Sequence, residues 1–389
     1  MGSGRIIYPP LPKITLAIRD KSFFQNVAFQ ETLEHLQERP NAALHLIGLV
    51  SPGGVHSHIN HLLALLEFAS MNGIGKQTFI HAFLDGVDVP PVSAGQYLLE
   101  VEKTIRATGA GRIASIIGRY YALDRNSNWN RTQAAYDLIV SGVGAGYPSW
   151  QEALKTAYET RTTDETVPPS VIVDGGTPVR TVRDGDAIIL FDFRADRARQ
   201  LTQTFVAKHF GRFPTTKFSD LSCVTMTDYG TRLPVTVAFP EEWAEIPAGR
   251  VIADAGLTQL RIAETEKYAH VTYYFNSGRE SPFPGEQRVF VPSPRVKDYV
   301  ATPKMSAGAI TERVVQEIRK GKYDVIVMNY ANPDMLGHTG NFNVAVGALQ
   351  FLDTQIALVT EAAVSAGGAV LITSDHGNAE DKIDAATGE

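Results

Sequence analysis

Two short segments near the C-terminus pair carboxylates with imidazoles, which are side chains that bind divalent transition-metal ions. Each segment follows a short apolar run, Val325–Met328 or Ala369–Ile372, of the kind that forms a strand buried on both faces of a parallel sheet. Ligands of open α/β sheets collect beyond the carboxyl ends of the strands, so we predict a site there for Mn²⁺ or Zn²⁺ bound to phosphate. The paired residues are Asp334 with His338 and Asp375 with His376.

The spacing within each pair affects how its side chains can act. Asp334 and His338 are four residues apart, so one helical turn would place them on the same face. Asp375 and His376 are adjacent, and at a turning strand end each could bind a different ion. A single Asp–His pair is more often a hydrogen-bonded structural couple, but two pairs at two strand ends favour the metal site.

Arginine side chains in the first half of the chain follow two further apolar runs, Ile113–Ile117 and Ala187–Phe193. Arginine presents parallel N–H donors to phosphate and carboxylate oxygens. The alternative is a solvated helix start paired with Asp124 or Asp196, but four arginines at two equivalent strand ends favour one convergent anion site. These arginines are Arg119, Arg125, Arg194 and Arg197.

Three other residues are weaker candidates for binding a substrate. His56 lies in a glycine-rich turn that opens a helix, where free amides can bind an anion, although the glycines can also simply form the turn. Asp88 follows the run Thr78–Phe83 and is either a turn aspartate or an acceptor for a substrate hydroxyl. Lys267 could direct its charge at a transferring phosphoryl group, although the local sequence favours a surface position.

Strand-like apolar runs alternate with helix-length segments, which predicts an α/β protein with largely parallel sheets. A helix is predicted over 306–320, with Ile310, Val314 and Ile318 on one face, and another over 346–363. An extended Pro-containing stretch near residues 238–242 predicts a domain boundary. The predicted strands are Ala43–Val50, Thr78–Phe83, Ile113–Ile117, Ala187–Phe193, Leu221–Met226, His270–Phe275, Val325–Met328 and Ala369–Ile372.

Composition places the chain among ordinary globular proteins, with 44% hydrophobic and 20% charged residues in a length of 389. The net charge of −6 disfavours general affinity for nucleic acids. The single cysteine, Cys223, excludes an internal disulfide and suits a reducing cytosol. Because no uninterrupted apolar stretch approaches ~20 residues, we predict neither a membrane span nor an export signal, and we expect a monomeric cytoplasmic protein.

Seven motifs of this chain resemble, in order, those of the 2,3-bisphosphoglycerate-independent phosphoglycerate mutases of the alkaline phosphatase superfamily. They cover the chain from about Arg5 to Ala379. Together they are highly specific, because RIAETEKY combined with NPDMLGH leaves little room for another branch of the superfamily. The motifs are GGVHSH (53–58), FLDGVD (83–88), GRYYALDR (118–125), FRADR (193–197), RIAETEKY (261–268), NYANPDMLGH (329–338) and SDHGN (374–378).

The resemblance implies an isomerase of glycolysis and gluconeogenesis that needs no 2,3-bisphosphoglycerate. In that family a serine takes the phosphoryl group of 3-phosphoglycerate and returns it to the other hydroxyl, giving 2-phosphoglycerate. The implied organisation is a hinge segment (1–9), a transferase domain that binds the substrate (10–240) and a phosphatase-like domain that holds two Mn²⁺ (241–389). The implied metal ligands are Asp334 with His338 and Asp375 with His376, and the implied substrate contacts are His56, Asp88, Arg119, Arg125, Arg194, Arg197 and the catalytic Lys267.

The sequence departs from the family pattern in two ways. Val87 stands where the family has an arginine that binds the substrate. The family's N-terminal segment, with the nucleophilic serine and a metal-binding aspartate, and a C-terminal segment with a further histidine ligand are absent, so each metal site is expected to lack ligands. We therefore expect the chain to be inactive on its own. The alternatives are another metal-dependent phosphomutase or phosphatase of the superfamily, or a non-catalytic fragment that binds phosphoglycerate.

Overall fold

The computed structural model describes residues 2–230 and 233–379. Contacts within these ranges divide the chain into a first unit, Tyr8–Glu241, and a second unit that contains residues 2–7 and 242–379. The predicted hinge segment is therefore shared between the units. Residues 2–7 belong to the second unit, where the backbone N–H of Ala248 donates to the carbonyl of Gly2 at 2.7 Å.

The described part of the first unit forms a nine-stranded sheet whose pairs are parallel except β3–β5 and β5–β6. The strand order is β4-β5-β3-β2-β1-β7-β8-β9, and β6 pairs with β5. Successive strands leave β1 in one direction through β2 and β3, and leave β7 in the other, so β1 and β7 flank a topological switch point. The strands are β1 (Leu44–Leu49), β2 (Thr78–Leu84), β3 (Arg112–Gly118), β4 (Ala145–Tyr147), β5 (Ser170–Asp174), β6 (Thr177–Pro178), β7 (Ala187–Leu190), β8 (Ser222–Thr225) and β9 (Thr236–Val237).

Helices cover both faces of this sheet, as parallel strands require. Side chains of β1 alternate between two apolar cores, with Leu44 and Leu46 in one and Ile47 and Leu49 in the other. The α-helices are α1 (Pro10–Arg19), α2 (Val27–Gln37), α3 (Ile59–Met71), α4 (Ala94–Thr108), α5 (Arg119–Ala122), α6 (Trp129–Ser141), α7 (Trp150–Glu159) and α8 (Ala195–Val206), and the 3₁₀ turns are Ser22–Gln25, Gly75–Gln77 and Asp164–Thr166.

The second unit has a parallel sheet of order β11-β10-β12 within its described residues. Leu260 and Ile262 of the central strand pack with Ile310 and Val314. The strands are β10 (Gln259–Glu264), β11 (Glu286–Val291) and β12 (Val325–Met328), the α-helices are α9 (Ala248–Asp254), α10 (Tyr268–Val271), α11 (Ala307–Lys320), α12 (Asn332–Gly337) and α13 (Phe342–Ser365), and the 3₁₀ turns are Thr265–Lys267 and Tyr299–Ala301.

The predicted α/β class with mostly parallel sheets is confirmed, and the helix predicted over 306–320 is α11. The predicted strands at Ala43–Val50, Thr78–Phe83, Ile113–Ile117, Ala187–Phe193 and Leu221–Met226 correspond to β1, β2, β3, β7 and β8. Strong β-branched and apolar runs, buried on both sides by helices, made these elements predictable from their local pattern.

Several predictions for the second unit were wrong. His270–Phe275 is not a strand, because Tyr268–Val271 forms a short helix that continues the turn after β10. Ala369–Ile372 contains no strand and is largely exposed, with Leu371 at 91%. The strand β12 forms as predicted but is only half-buried. Strands β10 and β11 were missed, because the charged side chains Arg261 and Arg288 interrupt their apolar pattern.

Helix α13 exists where 346–363 was predicted, but its buried face is shifted by about one residue from the predicted face, with Leu352 common to both. Its buried residues are Ala345, Ala348, Leu352 and Gln355, whereas Val346 and Leu349 are exposed. Among the described helices α13 is also the one with the length and apolar composition of a membrane span. Because a core helix of a globular protein passes the same test, that is weak evidence for a span.

A chain of buried polar side chains crosses the middle of the first unit's sheet. His45 Nε2 lies 3.1 Å from Asp186 Oδ2, and His45 Nδ1 lies 2.9 Å from His81 Nε2. His81 Nδ1 lies 2.8 Å from the hydroxyl of Ser115, and Asp186 also accepts from Arg180. Burial lowers the pKa of His45 and places the pKa of His81 well below its usual value. Both rings are therefore neutral in the folded protein at pH 7.

This chain of imidazoles predicts acid-sensitive stability. The unfolded protein gains protons on both histidines below about pH 6.5, whereas the folded protein does not, so the free energy of unfolding falls as pH decreases. Replacing His45 by Gln (His45→Gln) removes one such ring and should reduce this slope by up to about 1.4 kcal/mol per pH unit. Urea denaturation at several pH values between 7 and 5 measures how the free energy of unfolding changes with pH. The exposed His209→Gln is the control, and equal slopes in both variants would contradict the prediction.

Candidate functional site

The six substrate contacts proposed for the first unit lie beyond the carboxyl ends of four neighbouring strands, β3, β2, β1 and β7. His56 follows β1, Asp88 follows β2 and Arg119 follows β3 directly as the first residue of α5. Arg194 precedes α8, which contains Arg197, and Arg125 follows α5. We call these six residues the arginine cluster.

Arg119 is the buried centre of the arginine cluster. Its Nη1 lies 2.5 Å from Asp85 Oδ1 and 2.6 Å from Asp88 Oδ2. Asp85 also accepts from the hydroxyl of Ser51 at 2.6 Å and from the backbone N–H groups of Val87 and Asp88. Burial alone would raise the pKa of Asp85, but these hydrogen bonds and the Arg119 guanidinium lower it. Asp85 thereby fixes both the turn that carries Asp88 and the position of Arg119.

His56 is a buried, neutral imidazole in this cluster. Burial and the positive charge of Arg119 lower its pKa to about 4. Its Nε2 lies 3.9 Å from Asp88 Oδ2, and its Nδ1 has no hydrogen-bond partner among the described residues. The carbonyl of His56 accepts from the backbone N–H groups of Phe193 and Arg194, at 2.7 and 3.3 Å. The loops after β1 and β7 are therefore tied together next to the arginines.

The remaining arginines share fewer counter-charges. Asp196 lies 2.6 Å from Arg125 Nη1 and 3.1 Å from Arg194 Nε. Arg197 donates to the carbonyl of Leu123 at 3.1 Å, and burial together with the nearby charges of Arg119 and Arg125 lowers its pKa. Neighbouring guanidinium groups that disfavour one another's charge are typical of a site built for an anion.

The alternative role for these arginines, pairing with Asp124 or Asp196 at a solvated helix start, is found only for Asp196. Asp196 does pair with Arg125 and Arg194, but Asp124 lies 3.5 Å from Arg131, a different arginine. Asp124 otherwise accepts from Asn128, which precedes α6, and from Gln200 of α8. The six predicted residues of the first unit are brought together in the structure.

In the second unit, Lys267 lies at the centre of a group of carboxylates and imidazoles. Its Nζ is 2.9 Å from Asp334 Oδ2, 3.1 Å from Asp375 Oδ2 and 2.7 Å from His376 Nε2. Lys267 is 3% exposed, so the surface position that its local sequence favoured is wrong. His338 Nε2 lies 3.2 Å from Asp334 Oδ1, as the spacing of four residues predicts. We call these five residues together with His270 the lysine cluster.

Glutamates on either side of Thr265 hold the turn that carries Lys267. The hydroxyl of Ser293 bonds to both Glu264 and Glu266, and the hydroxyl of Tyr299 donates to Glu266 at 2.5 Å. Glu264 also accepts from the backbone N–H of Ser306 at 3.2 Å. These bonds anchor the segment 264–267 to the loop before α11 and so position the ammonium group.

The charges of the lysine cluster stabilise one another. Burial alone would raise the pKa of Asp334, but the hydrogen bond from Asn378 and the ammonium of Lys267 lower it to about 2. The pKa of Asp375 is lowered in the same way, because Lys267 outweighs the effect of burial. Burial and Lys267 lower the pKa of His270, whose ring is therefore available as a neutral ligand.

The donor set of the lysine cluster fits a divalent metal ion. One ligand atom each of His270, Asp375 and His376 lies within 4.8 Å of the others. His270 Nδ1 is buried, and no described residue forms a hydrogen bond with it. The sequence predicted that Asp334 and His338 bind one ion and that Asp375 and His376 bind another. The structure does not separate the two pairs, because Asp334 and Asp375 both contact Lys267.

Sequence reasoning missed three residues that belong to these clusters or lie next to them. Asp85 lies inside the motif FLDGVD but was given no role, and Asp192 was taken as part of a buried strand. His270 was placed in a strand, although its position three residues after Lys267 suits one helical turn. A helical interpretation of the segment after Lys267 would have identified it.

Removing the ammonium group of Lys267 should change both stability and metal affinity. In Lys267→Met, Asp334 and Asp375 repel each other without a counter-charge, so we expect a loss of about 2 kcal/mol in the free energy of unfolding. We also expect Mn²⁺ to bind several-fold more tightly, because no ammonium competes for the carboxylates. Urea denaturation with and without Mn²⁺, and calorimetric titration with Mn²⁺, measure these effects. The exposed Lys297→Met is the control, and unchanged Mn²⁺ affinity in Lys267→Met would contradict the competition.

Comparison with known proteins agrees with this geometry. The family model described as the N-terminus of the BPG-independent phosphoglycerate mutases matches residues 14–231. The 2,3-bisphosphoglycerate-independent phosphoglycerate mutase of Moorella thermoacetica is 50% identical over 383 residues, which cover 98% of this chain and 74% of the relative. The corresponding protein of Thermomicrobium roseum is 48% identical over 392 residues, covering 100% of this chain and 74% of the relative.

A solved structure is also similar to this chain. The crystal structure of Leishmania mexicana phosphoglycerate mutase at low cobalt concentration is 29% identical, with a TM-score of 0.60, and the match covers 98% of this chain and 71% of that one. The family model spans more than half of the chain, and the bacterial relatives are about half identical over nearly all of it. The chain therefore belongs to the 2,3-bisphosphoglycerate-independent phosphoglycerate mutases.

Proposed function

We propose that this protein is an isomerase that interconverts 3-phosphoglycerate and 2-phosphoglycerate, in glycolysis and gluconeogenesis, without 2,3-bisphosphoglycerate. The relatives named as such mutases support the reaction. The observation that carries the proposal is that one chain holds both the arginine cluster, which is suited to a small anion, and the lysine cluster, which is suited to phosphoryl transfer.

The arginine cluster is proposed to bind the glycerate part of the substrate. The guanidinium groups of Arg125, Arg194 and Arg197 provide N–H donors for carboxylate and phosphate oxygens. Asp88 is held by Arg119, and its carboxylate can accept a hydrogen bond from a substrate hydroxyl. His56 is neutral at pH 7, so it can either donate to or accept from a second hydroxyl.

The lysine cluster is proposed to hold two Mn²⁺ through Asp334, His338, Asp375 and His376, with His270 as a further donor. The similar Leishmania mexicana phosphoglycerate mutase structure was determined at low cobalt concentration, which agrees with a divalent metal at this site. When bound, such an ion withdraws electron density from a phosphoryl oxygen. Lys267 adds a positive charge where negative charge develops on the transferring group. A phosphoserine intermediate is part of this proposal.

The rival function is another metal-dependent phosphomutase or phosphatase that acts on a sugar phosphate. The number of arginines in the first unit favours phosphoglycerate. Its carboxylate can accept two parallel N–H donors from an arginine, whereas a sugar phosphate has no carboxylate. Calorimetric titration of the protein with 3-phosphoglycerate and with glucose 6-phosphate separates the two functions. Binding of 3-phosphoglycerate alone supports the mutase, and tighter binding of the sugar phosphate would reject it.

Turnover gives a second test, in which ³¹P nuclear magnetic resonance follows 3-phosphoglycerate with Mn²⁺ and after chelation. Formation of 2-phosphoglycerate that stops after chelation would support the mutase. Release of inorganic phosphate would instead favour a phosphatase, and binding without any turnover would agree with the non-catalytic alternative. We further propose that the protein is cytoplasmic, because its substrate is a glycolytic metabolite, and that it acts as a monomer.

Loss of either arginine at the start of α8 should weaken binding of 3-phosphoglycerate. Arg194→Ala and Arg197→Ala each remove a charge-assisted contact, for which we expect a loss of about 1.5–3 kcal/mol, or roughly 10- to 100-fold in Kd. Arg106→Ala, which removes an exposed arginine paired with Glu102 on α4, is the control. Equal affinities for all three variants would mean that Arg194 and Arg197 have only structural roles.

At Val87 an arginine can be added to the site instead of removed from it. The Val87 side chain is 56% exposed, in the turn between Asp85 and Asp88, so a longer side chain can be added there without displacing the core. We expect Val87→Arg to add a donor for the substrate and to tighten the Kd of 3-phosphoglycerate by about tenfold. Val87→Gln has a comparable polar side chain without charge and is the control. If both variants bind equally, charge at this position contributes nothing.

A further inference from the structure

Asp192 is a buried carboxyl group next to the arginine cluster with no role in the proposed function. It follows β7 and is 1% exposed. Its Oδ1 accepts a long hydrogen bond from the backbone N–H of Leu49, at 3.3 Å, and its Oδ2 has no hydrogen-bond partner among the described residues. A buried carboxylate with so few donors is costly, because nothing replaces the water it has lost.

The location of Asp192 connects it to ligand binding. Leu49 is the last residue of β1, and Asp192 follows β7, so the carboxyl lies at the switch point where the two strands separate. Crevices at such points are where α/β sheets bind ligands. The next residue, Phe193, donates its backbone N–H to the carbonyl of His56, and Arg194 does so at longer distance. Asp192 therefore immediately precedes, in the chain, the backbone that joins the loops carrying His56 and Arg194.

The charges around Asp192 decide which form it can take. Arg119 favours its ionised form, whereas Asp85 opposes it. Arg119 is already paired with both Asp85 and Asp88, so it has little attraction left for a third carboxylate. On the other side, the hydroxyl of Tyr229 donates to the backbone carbonyl of Asp192 and not to its carboxyl. Burial is the largest influence and, with Asp85, raises the pKa of Asp192 to about 7.

The balance of charge in the arginine cluster makes this proton important. The four arginines of the cluster have three aspartates beside them: Asp85 and Asp88 pair with Arg119, and Asp196 pairs with Arg125 and Arg194. Arg197 donates to a backbone carbonyl instead. With Asp192 neutral, the cluster keeps one excess positive charge for an incoming anion. An ionised Asp192 would add one negative charge and so cancel the excess positive charge of the cluster.

We infer that Asp192 is a positioning residue that acts as a neutral acid, closing the gap between β1 and β7 beneath the substrate without adding negative charge under a bound anion. It acts through Arg119 and through the backbone that carries His56 and Arg194. This inference rests on the proposed binding of phosphoglycerate by the arginine cluster. Its consequence is that affinity for the anion decreases as the pH rises and Asp192 loses its proton.

Calorimetric titration with 3-phosphoglycerate between pH 6 and pH 8.5 tests the inference. Asp192→Asn is nearly isosteric, keeps an acceptor for Leu49 and cannot ionise. We expect the Kd of the wild type relative to Asp192→Asn to rise about tenfold over this range, as for one charge coupled to a nearby anion. The ratio removes the titration of the ligand's own phosphate, and His56, with a pKa of about 4, stays neutral throughout. A ratio that does not change with pH would overturn the inference.

Two further variants complete the binding experiment. Asp228→Asn removes an exposed acid from the loop after β8 and should leave the pH profile of the wild type unchanged. Asp192→Leu replaces the carboxyl by an apolar group of similar size, and it should also bind without the pH-dependent loss. If Asp192→Asn does not fold, Asp192→Leu gives the same comparison. A pH-dependent loss that persists in either Asp192 variant would show that another group is responsible.

Stability measured without ligand separates failure of the inference from failure of the proposed function. A carboxyl whose pKa is raised by folding binds more protons in the folded state between about pH 3.9 and pH 7. The stability that its proton contributes is complete below this window and is lost as the pH rises through it. The free energy of unfolding of the wild type relative to Asp192→Asn should therefore fall from pH 4 to pH 7. If this free energy falls as expected but 3-phosphoglycerate does not bind at any pH, the proposed function is wrong and the assignment of Asp192 as a neutral acid remains. If the difference in free energy of unfolding between the wild type and Asp192→Asn does not change with pH, Asp192 is not a neutral acid and the inference is overturned.

Discussion

Convergence of charged side chains at the ends of parallel strands requires internal counter-charges, and the candidate sites of this protein depend on that requirement. A parallel sheet delivers the residues after its strands to one edge, where like charges would otherwise repel one another. In the first unit Arg119 lies between Asp85 and Asp88. In the second unit Lys267 lies between Asp334 and Asp375. Each buried cation thus organises two carboxylates that come from other segments of the chain.

The two arrangements differ in what they leave available. In the arginine cluster the central guanidinium is used internally, and the outer ones, Arg125, Arg194 and Arg197, face fewer acids, so the group as a whole retains positive charge. In the lysine cluster the carboxylates and imidazoles outnumber the single ammonium, so the group retains capacity for a cation. An anion site and a cation site follow from the same principle with the signs exchanged, and a phosphoryl-transfer enzyme needs both.

Among the buried polar groups outside these clusters, His45 and His81 are compensated by hydrogen bonds, whereas Arg261 is compensated only in part. The imidazoles of His45 and His81 are neutral and fully bonded between Asp186 and Ser115, so burial costs little at neutral pH. Arg261 is buried in β10, where its guanidinium lies 4.4 Å from the ring of Phe275 and bonds to Gln259, and burial lowers its pKa to about 10. Asp192 is the contrasting case, because its carboxyl has a single weak donor and is better tolerated with a proton.

Much of the fold was predictable because its elements are encoded locally. The apolar runs of β1, β2, β3, β7 and β8 and the periodic face of α11 identify those elements without knowledge of their neighbours. Where a pattern was ambiguous, the prediction failed. The segment His270–Phe275 combines β-branched and aromatic residues that suit a strand, yet it follows a tight turn after β10 that continues as a helix.

The sequence by itself determined which residue types are present at strand ends, the spacing that puts Asp334 and His338 on one helical turn, and the motifs that indicate the family. Only the tertiary structure decided which charges are buried and with whom. Lys267 resembles a surface lysine locally, and it is buried because Asp375, 108 residues away, and Asp334 compensate its charge. Asp192 resembles part of an apolar strand, and its environment depends on Leu49, 143 residues earlier. The ionisation state of a buried group is set by partners that are distant in sequence, so no local pattern can specify it.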